Sequence, residues 1–554
     1  MAVMRLASKS VSRIFEYINL NYNKMDKQLL LGAEAVAVGA IDAGISGVYA
    51  YPGTPSTEIT EFIQKSKDAQ SRKIRSKWAA NEKTAYEAAL GMSFAGKRSI
   101  VCMKHVGLNV CADPFMNSAI TGVNGGLILV VADDPSMHSS QDEQDSRAYG
   151  RFAMLPLLEP ATQQEAYEAV RFGLDLSEAV KLPVVLRLTT RMSHSRAVIE
   201  RKAMRDQNAF NPDLNTRQWI LLPAIAKKNY AGLIDKQAAI EKSSAASPFN
   251  KVVEGKGKKA VIAFGIGYNY VMEVCKNNGL ELPVLKISQY PLPKDMVQSF
   301  IDKYDDILIV EEGYPIYEEL LRGFSDNKKF RGRMDGALPR MGELSPDAVA
   351  PALGVKPVVG QPVPDIMVNR PPALCVGCSH RDLYEELNSV LSAYPGKAVF
   401  GDIGCYTLGA LPPYSAINSC VDMGASITMA KGAAEAGLHP AVAVIGDSTF
   451  THSGMTGLLD CVNDNAQVTI IISDNSTTAM TGGQDSAGTN KMVDICKGLG
   501  VEPEHIVTIV PVKPRLEQNI ELIKKEIEYK GVSVILAQRE CMQTLARKKK
   551  AAKK

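Results

Sequence analysis

Short apolar runs alternate with helical stretches over most of this 554-residue sequence. The most apolar runs, residues 126–132 and 468–473, have the length of buried strands and fall well short of the roughly 18 apolar residues of a membrane span. Strands that alternate with helices predict an α/β fold with mainly parallel sheets. Because a chain of this length exceeds what one core can hold, we expect several domains.

Three blocks carry this alternation. Block one, residues 28–202, has predicted strands at Gly47–Tyr51, Ser99–Met103, Leu127–Val131 and Val184–Leu188. Block two, residues 258–345, is smaller, with predicted strands at Ala260–Phe264, Val284–Ile287 and Ile307–Val310. Block three, residues 373–542, has predicted strands at Ala398–Phe400, Val442–Ile445, Thr469–Ile472 and Val532–Ala537. The polar segment 203–257 lacks a sustained period and is interpreted as a linker, and the Pro-rich segment 346–372 as a connector.

The two ends differ in composition from the rest. Residues 1–27 are an N-terminal extension, and the surplus of cations in it is compatible with a transit peptide. Met25 directly precedes the first strongly patterned segment, which favours an upstream start codon instead. The net charge of +3 is concentrated in the basic tail, residues 543–554. We expect a solvated, disordered end rather than a segment that binds nucleic acid or a membrane, and a cytoplasmic protein.

The sharpest motif consists of polar residues that follow two strands of block three. Gly446-Asp447-Ser448 ends one strand, and Asp474-Asn475-Ser476-Thr477 ends the strand one crossover later. The carboxyl ends of neighbouring parallel strands meet at one edge of a sheet, where α/β proteins bind ligands. Gly446 allows backbone amides to approach a phosphate closely, and Asp447 and Asn475 supply hard oxygens suited to Mg²⁺. Two ordinary polar turns are the alternative.

This arrangement resembles the Gly-Asp and Asn pattern of thiamine diphosphate enzymes, which implies a third Mg²⁺ ligand at the carbonyl of Thr477. Such enzymes also need a carboxylate that hydrogen-bonds N1′ of the aminopyrimidine and activates the cofactor. Glu82 stands at the start of a helix rich in small residues in block one. A glutamate in a first helical turn is equally well explained as a partner of the helix dipole.

Seven of the ten cysteines lie in block three, and four of these stand in segments that lead to or from its predicted strands: Cys375, Cys378, Cys405 and Cys541. Four thiols in one domain fit a [4Fe–4S] cluster, and a nearby thiamine site would give the cluster electrons to carry. The competing interpretation is structural zinc held by Cys375, Cys378 and Cys405, with either His380 or Cys541 as the fourth ligand.

From about residue 28 to 541 the sequence resembles the alpha subunit of indolepyruvate:ferredoxin oxidoreductases. The stretches that carry the resemblance are Tyr51–Glu58, Met103–Asn109, Ala132–Pro135, Ser139–Asp145, Gly401–Gly409, Met423–Ser426 and Gly446–Gly454. It implies a thiamine diphosphate-binding fold with two doubly wound parallel-sheet domains, one for the pyrimidine and one for the diphosphate, and a smaller α/β domain between them.

The resemblance also implies residue roles. Thr54 approaches the substrate, Glu82 is the N1′ partner, and Cys375, Cys378, Cys405 and Cys541 bind the cluster. Ser448, Gly404 and Met423 join Gly446, Asp447, Asn475 and Thr477 as residues that bind the cofactor. His105 and His452 are candidates to orient the substrate or to move protons.

The activity implied is oxidative decarboxylation of aryl pyruvates, with coenzyme A taking the acyl group and ferredoxin or a related carrier taking the electrons. A smaller beta subunit is expected, in an α2β2-type hetero-oligomer. Alpha subunits of this family usually continue into a ferredoxin-like module, and no cysteine follows Cys541 here. We therefore expect electrons to leave through a separate carrier. A non-oxidative thiamine-dependent decarboxylase with structural zinc and a non-catalytic scaffold remain as alternatives.

Overall fold

The computed structural model describes residues 27–551, except 213–215, 324–328, 341, 359, 361, 363, 369–372, 421–422 and 436. Most of the predicted extension, residues 1–27, therefore lies outside the described residues. The chain forms two compact units. The first comprises the described residues up to 77 and from 85 to 358, and the second comprises residues 78–84 and the described residues from 360 to 551.

Up to residue 358 the described strands are β1 Lys27–Leu31, β2 Gly47–Ala50, β3 Arg75–Trp78, β4 Ser99–Lys104, β5 Leu127–Asp133, β6 Leu157–Leu158, β7 Val184–Thr189, β8 Arg196–Glu200, β9 Lys251–Val253, β10 Lys259–Phe264, β11 Val284–Ile287, β12 Gln289–Tyr290, β13 Asp306–Val310 and β14 Phe330–Arg331. The helices of the same stretch are α1 Gly32–Asp42, α2 Thr57–Lys65, α3 Lys67–Ser71, α4 Glu82–Phe94, α5 His105–Val110, α6 Ala112–Thr121, α7 Arg147–Phe152, α8 Gln163–Val180, α9 Thr190–His194, α10 Thr216–Trp219, α11 Pro223–Ala245, α12 Gly267–Asn278, α13 Lys294–Ile301, α14 Ile316–Arg322 and α15 Pro346–Val349.

Over the described residues these strands make two larger sheets and one antiparallel pair, β1 with β8. One sheet has the order β12-β6-β7-β5-β4-β2-β3, and its pairs from β6 to β2 are parallel. The other has the order β14-β13-β10-β11-β9, with β9 antiparallel at its edge. Every residue of β4 and β5 is buried, as expected for parallel strands that helices cover on both faces.

The second unit is built on one further sheet. Its described strands are β15 Ala398–Gly401, β16 Ser419–Cys420, β17 Ala441–Gly446, β18 Val468–Asp474, β19 Ile506–Ile509 and β20 Val532–Gln538. Its helices are α16 Ser379–Leu391, α17 Ala425–Glu435, α18 Asp447–Thr449, α19 Met455–Asn463, α20 Met492–Gly498, α21 Leu516–Glu528 and α22 Met542–Ala551. The strands follow the order β16-β15-β17-β18-β20-β19, and the described pairs are all parallel.

Alternate residues of β17 face opposite cores. Val442 and Val444 belong to the core that α16 and α21 cover, whereas Ala443 and Ile445 belong to the core that α17, α19 and α20 cover. The sheet is therefore doubly wound, because side chains alternate along a strand and each face is packed against helices. This confirms the predicted α/β class with parallel sheets.

Two expectations about segments between and after the blocks were wrong in detail. The segment interpreted as a linker, residues 203–257, contains the long helix α11, with Leu233, Ile240 and Ser244 buried. So few buried positions on a long helix leave no sustained apolar period in the sequence. The described part of the tail, residues 543–551, was expected to be disordered but lies in α22, which buries no residue. Among the described residues, no helix combines the length and apolar character needed to cross a membrane.

Candidate functional site

The ends of β17 and β18 bring Asp447 and Asn475 to one edge of the second unit's sheet. These strands are parallel, and Gly446 lies opposite Ser473, so both side chains emerge just beyond the same pair. Both residues are buried, and Asp447 Oδ2 and Asn475 Oδ1 have no hydrogen-bond partner among the described residues. Buried oxygens without a donor are costly unless something else satisfies them. Two hard oxygens in this state fit a site for a small divalent cation.

The electrostatics of Asp447 favour the same interpretation. Burial raises the pKa of its carboxyl to about 7; the nearby Ser486 hydroxyl opposes the rise, and the charge of Asp474 adds to it. The charged form of Asp447 is thus poorly stabilised by the protein alone. A cation beside it would supply the missing stabilisation.

Hydroxyl groups tie the two loops of this edge together. Thr478 Oγ1 donates to Ser448 Oγ at 2.9 Å, which joins the loop after β18 to the start of α18. Thr477 is buried, and its Oγ1 donates to the carbonyl of Gln484 at 2.8 Å. Ser476, which lies between Asn475 and Thr477, has a φ of 59°, in the left-handed region. The loop that carries Asn475 and Thr477 is therefore held in one conformation by its own contacts.

A third segment closes over Gly446. A Cβ added to Gly446 would lie 2.9 Å from Cε1 of Tyr406, so only glycine fits at this position without displacing the ring. Gly404 precedes the short 3₁₀ helix Cys405–Ala410, and Thr449 Oγ1 donates to the carbonyl of Ile403 at 3.0 Å. The Gly404-Cys405 turn is thereby fixed beside the start of α18.

Asp402 is a functional candidate that was not singled out from the sequence. It is fully buried, and its Oδ2 accepts hydrogen bonds from the amides of Gly424 and Ser426 at 3.1 and 3.2 Å. The Tyr406 hydroxyl donates to its Oδ1. Asp402 therefore positions the turn after Met423, which is partly buried. The available signal was a second Gly-Asp pair, at the end of β15.

Glu82 and His452 are in direct contact within the second unit. Glu82 Oε2 lies 2.7 Å from His452 Nε2, and both side chains are buried. His452 Nδ1 is 2.6 Å from Ser453 Oγ, and Asn81 Nδ2 donates to the His452 carbonyl at 3.0 Å. His452 lies on a π-helical turn, Phe450–Gly454, that continues from α18, and such turns are frequent at functional sites. The carboxylate and the histidine that were singled out from the sequence are thus within hydrogen-bond distance of each other.

Thr54 and His105 belong to the first unit. The carbonyl of Thr54 accepts from Ser139 Oγ at 3.3 Å, and the Ser139 carbonyl accepts from Lys104 Nζ at 2.7 Å. His105 is buried at the start of α5, with Nε2 3.4 Å from Asp142 Oδ1. Lys104, which sequence reasoning did not single out, is buried beside Thr54, and burial lowers its pKa.

The four cysteines of the predicted cluster site are neighbours in the second unit. Cys375 is exposed, the other three are partly buried, and all are free thiols. Burial raises the pKa of Cys405 to about 12, and the charges of Cys378, Cys541 and Cys375 add to the rise. The amide of Cys541 donates to the Asn475 carbonyl at 3.3 Å. The four cysteines therefore adjoin the sheet edge that carries Asp447 and Asn475, which we call the Asp447 edge.

The geometry of these thiols is not that of a loaded centre. In the part of the chain that the structure describes, no group of three or more His, Cys, Asp and Glu residues is arranged to hold a metal ion. His380 is buried, and its Nδ1 lies 3.3 Å from Cys378 Sγ. Four thiols with a histidine beside them are donors that suit either an iron–sulfur cluster or zinc. The described side chains are not arranged as the ligand set of either one.

Comparison with known proteins places this site in a class. Residues 402–536, which include the Asp447 edge, match the family described as thiamine pyrophosphate enzyme, C-terminal TPP binding domain. Residues 38–220, which include Thr54 and Glu82, match the family described as pyruvate flavodoxin/ferredoxin oxidoreductase, thiamine diP-bdg. The chain is therefore a thiamine diphosphate-binding oxidoreductase.

Individual relatives narrow the class further. The indolepyruvate oxidoreductase subunit IorA of Archaeoglobus fulgidus is 38% identical over 93% of this chain and 86% of its own length. That of Methanothermobacter thermautotrophicus is 38% identical over 94% of this chain and 88% of its own length. The chain belongs to the family of indolepyruvate oxidoreductase IorA subunits. A solved 2-oxoglutarate:ferredoxin oxidoreductase from Magnetococcus marinus aligns over 55% of this chain and 62% of that chain, with 16% identity and a TM-score of 0.45.

Proposed function

We propose that this chain is the catalytic subunit of an enzyme that oxidatively decarboxylates aryl pyruvates such as indolepyruvate. One 2-oxoacid and one coenzyme A would give one acyl-CoA, one CO2 and a proton, and two oxidised one-electron carriers would be reduced. The preference for an aryl pyruvate is supported by the relatives that are named indolepyruvate oxidoreductase subunits. The observation that carries the proposal is the pair of unpartnered buried oxygens at the Asp447 edge.

In this proposal the Asp447 edge binds Mg²⁺ and the diphosphate of thiamine diphosphate. Asp447, Asn475 and the carbonyl of Thr477 would be the protein ligands of Mg²⁺, whose other ligands would be diphosphate oxygens. The amides of Gly446 and Ser448, at the start of α18, would donate to the diphosphate. Gly404 and Met423 would also contact the bound cofactor. The cation would offset the cost of ionising Asp447, whose pKa burial raises to about 7.

Glu82 is the proposed partner of the aminopyrimidine N1′, and bound thiamine diphosphate supplies the electron sink for decarboxylation. The contact with His452 Nε2 holds the carboxylate in one orientation before the cofactor binds. His452 would then be placed to pass a proton to or from this carboxylate. Thr54 and His105 are proposed to orient the substrate.

The four thiols are the proposed ligands of a [4Fe–4S] cluster that carries electrons away from the thiamine site. The contact of Cys541 with Asn475 supports the short separation that such transfer needs. Since the described thiols do not form a metal-holding group, they would have to close around the cluster. A smaller partner subunit and ferredoxin or a related carrier complete the proposed enzyme.

The test is anaerobic purification with the partner subunit, followed by reduction of a viologen dye. Indolepyruvate, phenylpyruvate and pyruvate are compared with and without coenzyme A. We expect dye reduction that requires both coenzyme A and a 2-oxoacid and is fastest with an aryl pyruvate. Release of CO2 and an aldehyde without dye reduction, from colourless protein with stoichiometric zinc, would instead support a non-oxidative decarboxylase. The position of His380 beside Cys378 makes zinc the specific alternative.

A further inference from the structure

An exposed apolar and basic surface adjoins the four cysteines in the second unit. We call it the carrier face and define it by the loop Cys375–Cys378, Met542, and the four cations Arg547, Lys548, Lys549 and Lys550. Val376, between the first two cysteines, is 89% exposed, and Met542 is 36% exposed. All four cations are exposed on α22. The surface thus joins a small apolar centre to a group of positive charges.

The parts of the carrier face are held together by described contacts. A Cβ on Gly377 would lie 3.9 Å from Cε of Met542, so the cysteine loop adjoins the start of α22. Arg547 donates to the carbonyl of Gly482, in the loop that follows Asn475. Lys548 pairs with Glu540 at 2.6 Å. Helix α22 is therefore held beside the cysteines at its start and near its middle, although it buries no residue of its own.

We infer that the carrier face is the docking surface for an acidic one-electron carrier protein of the iron–sulfur or flavodoxin class. This inference rests on the proposed function, which requires two such carriers to be reduced in each turnover. Four cations against one paired acid give the surface a positive potential that complements an acidic partner. Exposed Val376 and Met542 supply the small dry contact that a weak electron-transfer complex uses.

The position of the face favours this occupant over others. Electron transfer requires the carrier to approach the metal centre closely, and Cys375 is the exposed member of the four thiols. A cationic helix alone would suit nucleic acid or an anionic membrane equally well. The exposed thiol and the apolar loop beside it are useful to a redox protein and not to those ligands.

The experiment compares two acceptors with the complete enzyme, a low-potential acidic ferredoxin and a viologen dye. The test variant is Lys548→Glu with Lys549→Glu and Lys550→Glu. We expect the KM for ferredoxin to rise about tenfold or more, because steering by surface charge changes association by that order. The kcat with dye should not change, since the dye needs no docking surface. Added salt should raise the KM of the unmodified enzyme much more than that of the variant.

The matched control is Lys524→Glu with Lys525→Glu and Lys530→Glu. These lysines are exposed at and after the end of α21, directly before β20 begins, and thus at the opposite edge of the sheet from Cys541. The control carries the same change in net charge and should keep the KM for ferredoxin.

Three outcomes are informative. If the unmodified enzyme reduces no dye with any 2-oxoacid, the proposed function fails. If dye reduction is intact but the test variant keeps its ferredoxin KM, or the control raises it equally, the carrier face is overturned. If the test variant loses binding to nucleic acid or anionic vesicles while ferredoxin reduction is unchanged, the basic helix serves that ligand instead and the inference is also overturned.

Discussion

At the scale of single residues, two buried polar atoms at the Asp447 edge are left without a hydrogen bond by the protein. Asp447 Oδ2 and Asn475 Oδ1 lack hydrogen-bond donors among the described residues. Natural cores avoid such groups, because each costs stability that packing must offset. Their convergence at the end of two strands is therefore best explained by a ligand that carries charge.

The substitution Glu82→Gln tests the activating carboxylate. Glutamine keeps the size of the side chain and can still accept a hydrogen bond from His452, but it cannot stabilise the charged state of the cofactor ring. We expect kcat for 2-oxoacid-dependent dye reduction to fall about 100-fold or more, in the range usual for general acid–base groups. Affinity for thiamine diphosphate should change little.

The control for this substitution is Glu87→Gln, an exposed position on the same helix. It should leave kcat unchanged. Activity retained by Glu82→Gln would show that this carboxylate does not activate the cofactor.

The sequence allowed some of these residues to be singled out and not others. Asp447 and Asn475 each follow an apolar run, and the placement of parallel strand ends alone predicts that they meet. The pairing of Glu82 with His452 joins distant parts of the chain, and no local pattern signals it. Asp402 and Lys104 were overlooked for a related reason, since their roles depend on burial beside loops that only the fold brings close.

At the scale of elements, burial decides what the sequence can show. Each strand that the sequence predicted lies within one or two residues of a described strand, because fully buried parallel strands read as continuous apolar runs. The very short or partly exposed strands β1, β3, β6, β8, β9, β12, β14, β16 and β19 were not predicted. Helix α11 was missed because it buries few side chains, and α22 because it buries none. Amphipathic packing leaves a period in the sequence, and a helix held mainly by polar contacts does not.

The packing of α16 against α21 gives a pH-dependent prediction. Glu386 on α16 is fully buried, and its Oε1 accepts from Asn519 Nδ2 on α21 at 2.7 Å. Burial raises the pKa of Glu386 from its ordinary value of 4.5 to about 7, against the opposing hydrogen bond from Asn519. Because the folded pKa lies above the unfolded one, stability from this group is complete below about pH 4.5 and is lost as pH rises to about 7.

Thermal melting at pH 5 and pH 8 measures this effect. The unmodified protein should melt at a lower temperature at pH 8, with about 1–2 kcal/mol of the difference due to Glu386. In Glu386→Gln that part of the difference should disappear, whereas Glu521→Gln, exposed on α21, should behave as the unmodified protein. An unchanged pH difference in Glu386→Gln would mean that Glu386 is ionised in the folded protein.

At the scale of the whole molecule, the second unit contains the Asp447 edge, the four thiols and the carrier face. Residues 78–84 are grouped with it, so Glu82 reaches the same unit as Asp447 and Cys405. One compact body thus contains the proposed start and exit of the electrons. The first unit holds Thr54 and His105, the residues proposed to orient the substrate.

Iron content tests the electron path. In anaerobically prepared enzyme we expect about four iron atoms for each chain. Cys405→Ser should lose most of this iron and the broad visible absorption with it. Cys420→Ser, an exposed thiol outside the predicted set, should keep both. Full iron in Cys405→Ser, or zinc in place of iron in the unmodified enzyme, would contradict the proposed cluster.

Whether the Asp447 edge binds the cofactor through Mg²⁺ is tested most directly by calorimetric titration of thiamine diphosphate into Mg²⁺-free enzyme. The titration is run with and without added Mg²⁺, for the unmodified chain and for Asp447→Asn. We predict one cofactor bound for each chain, binding that depends on Mg²⁺, and an affinity at least about tenfold weaker in Asp447→Asn. Equal affinity in the two proteins, or tight binding without any divalent cation, would contradict the account.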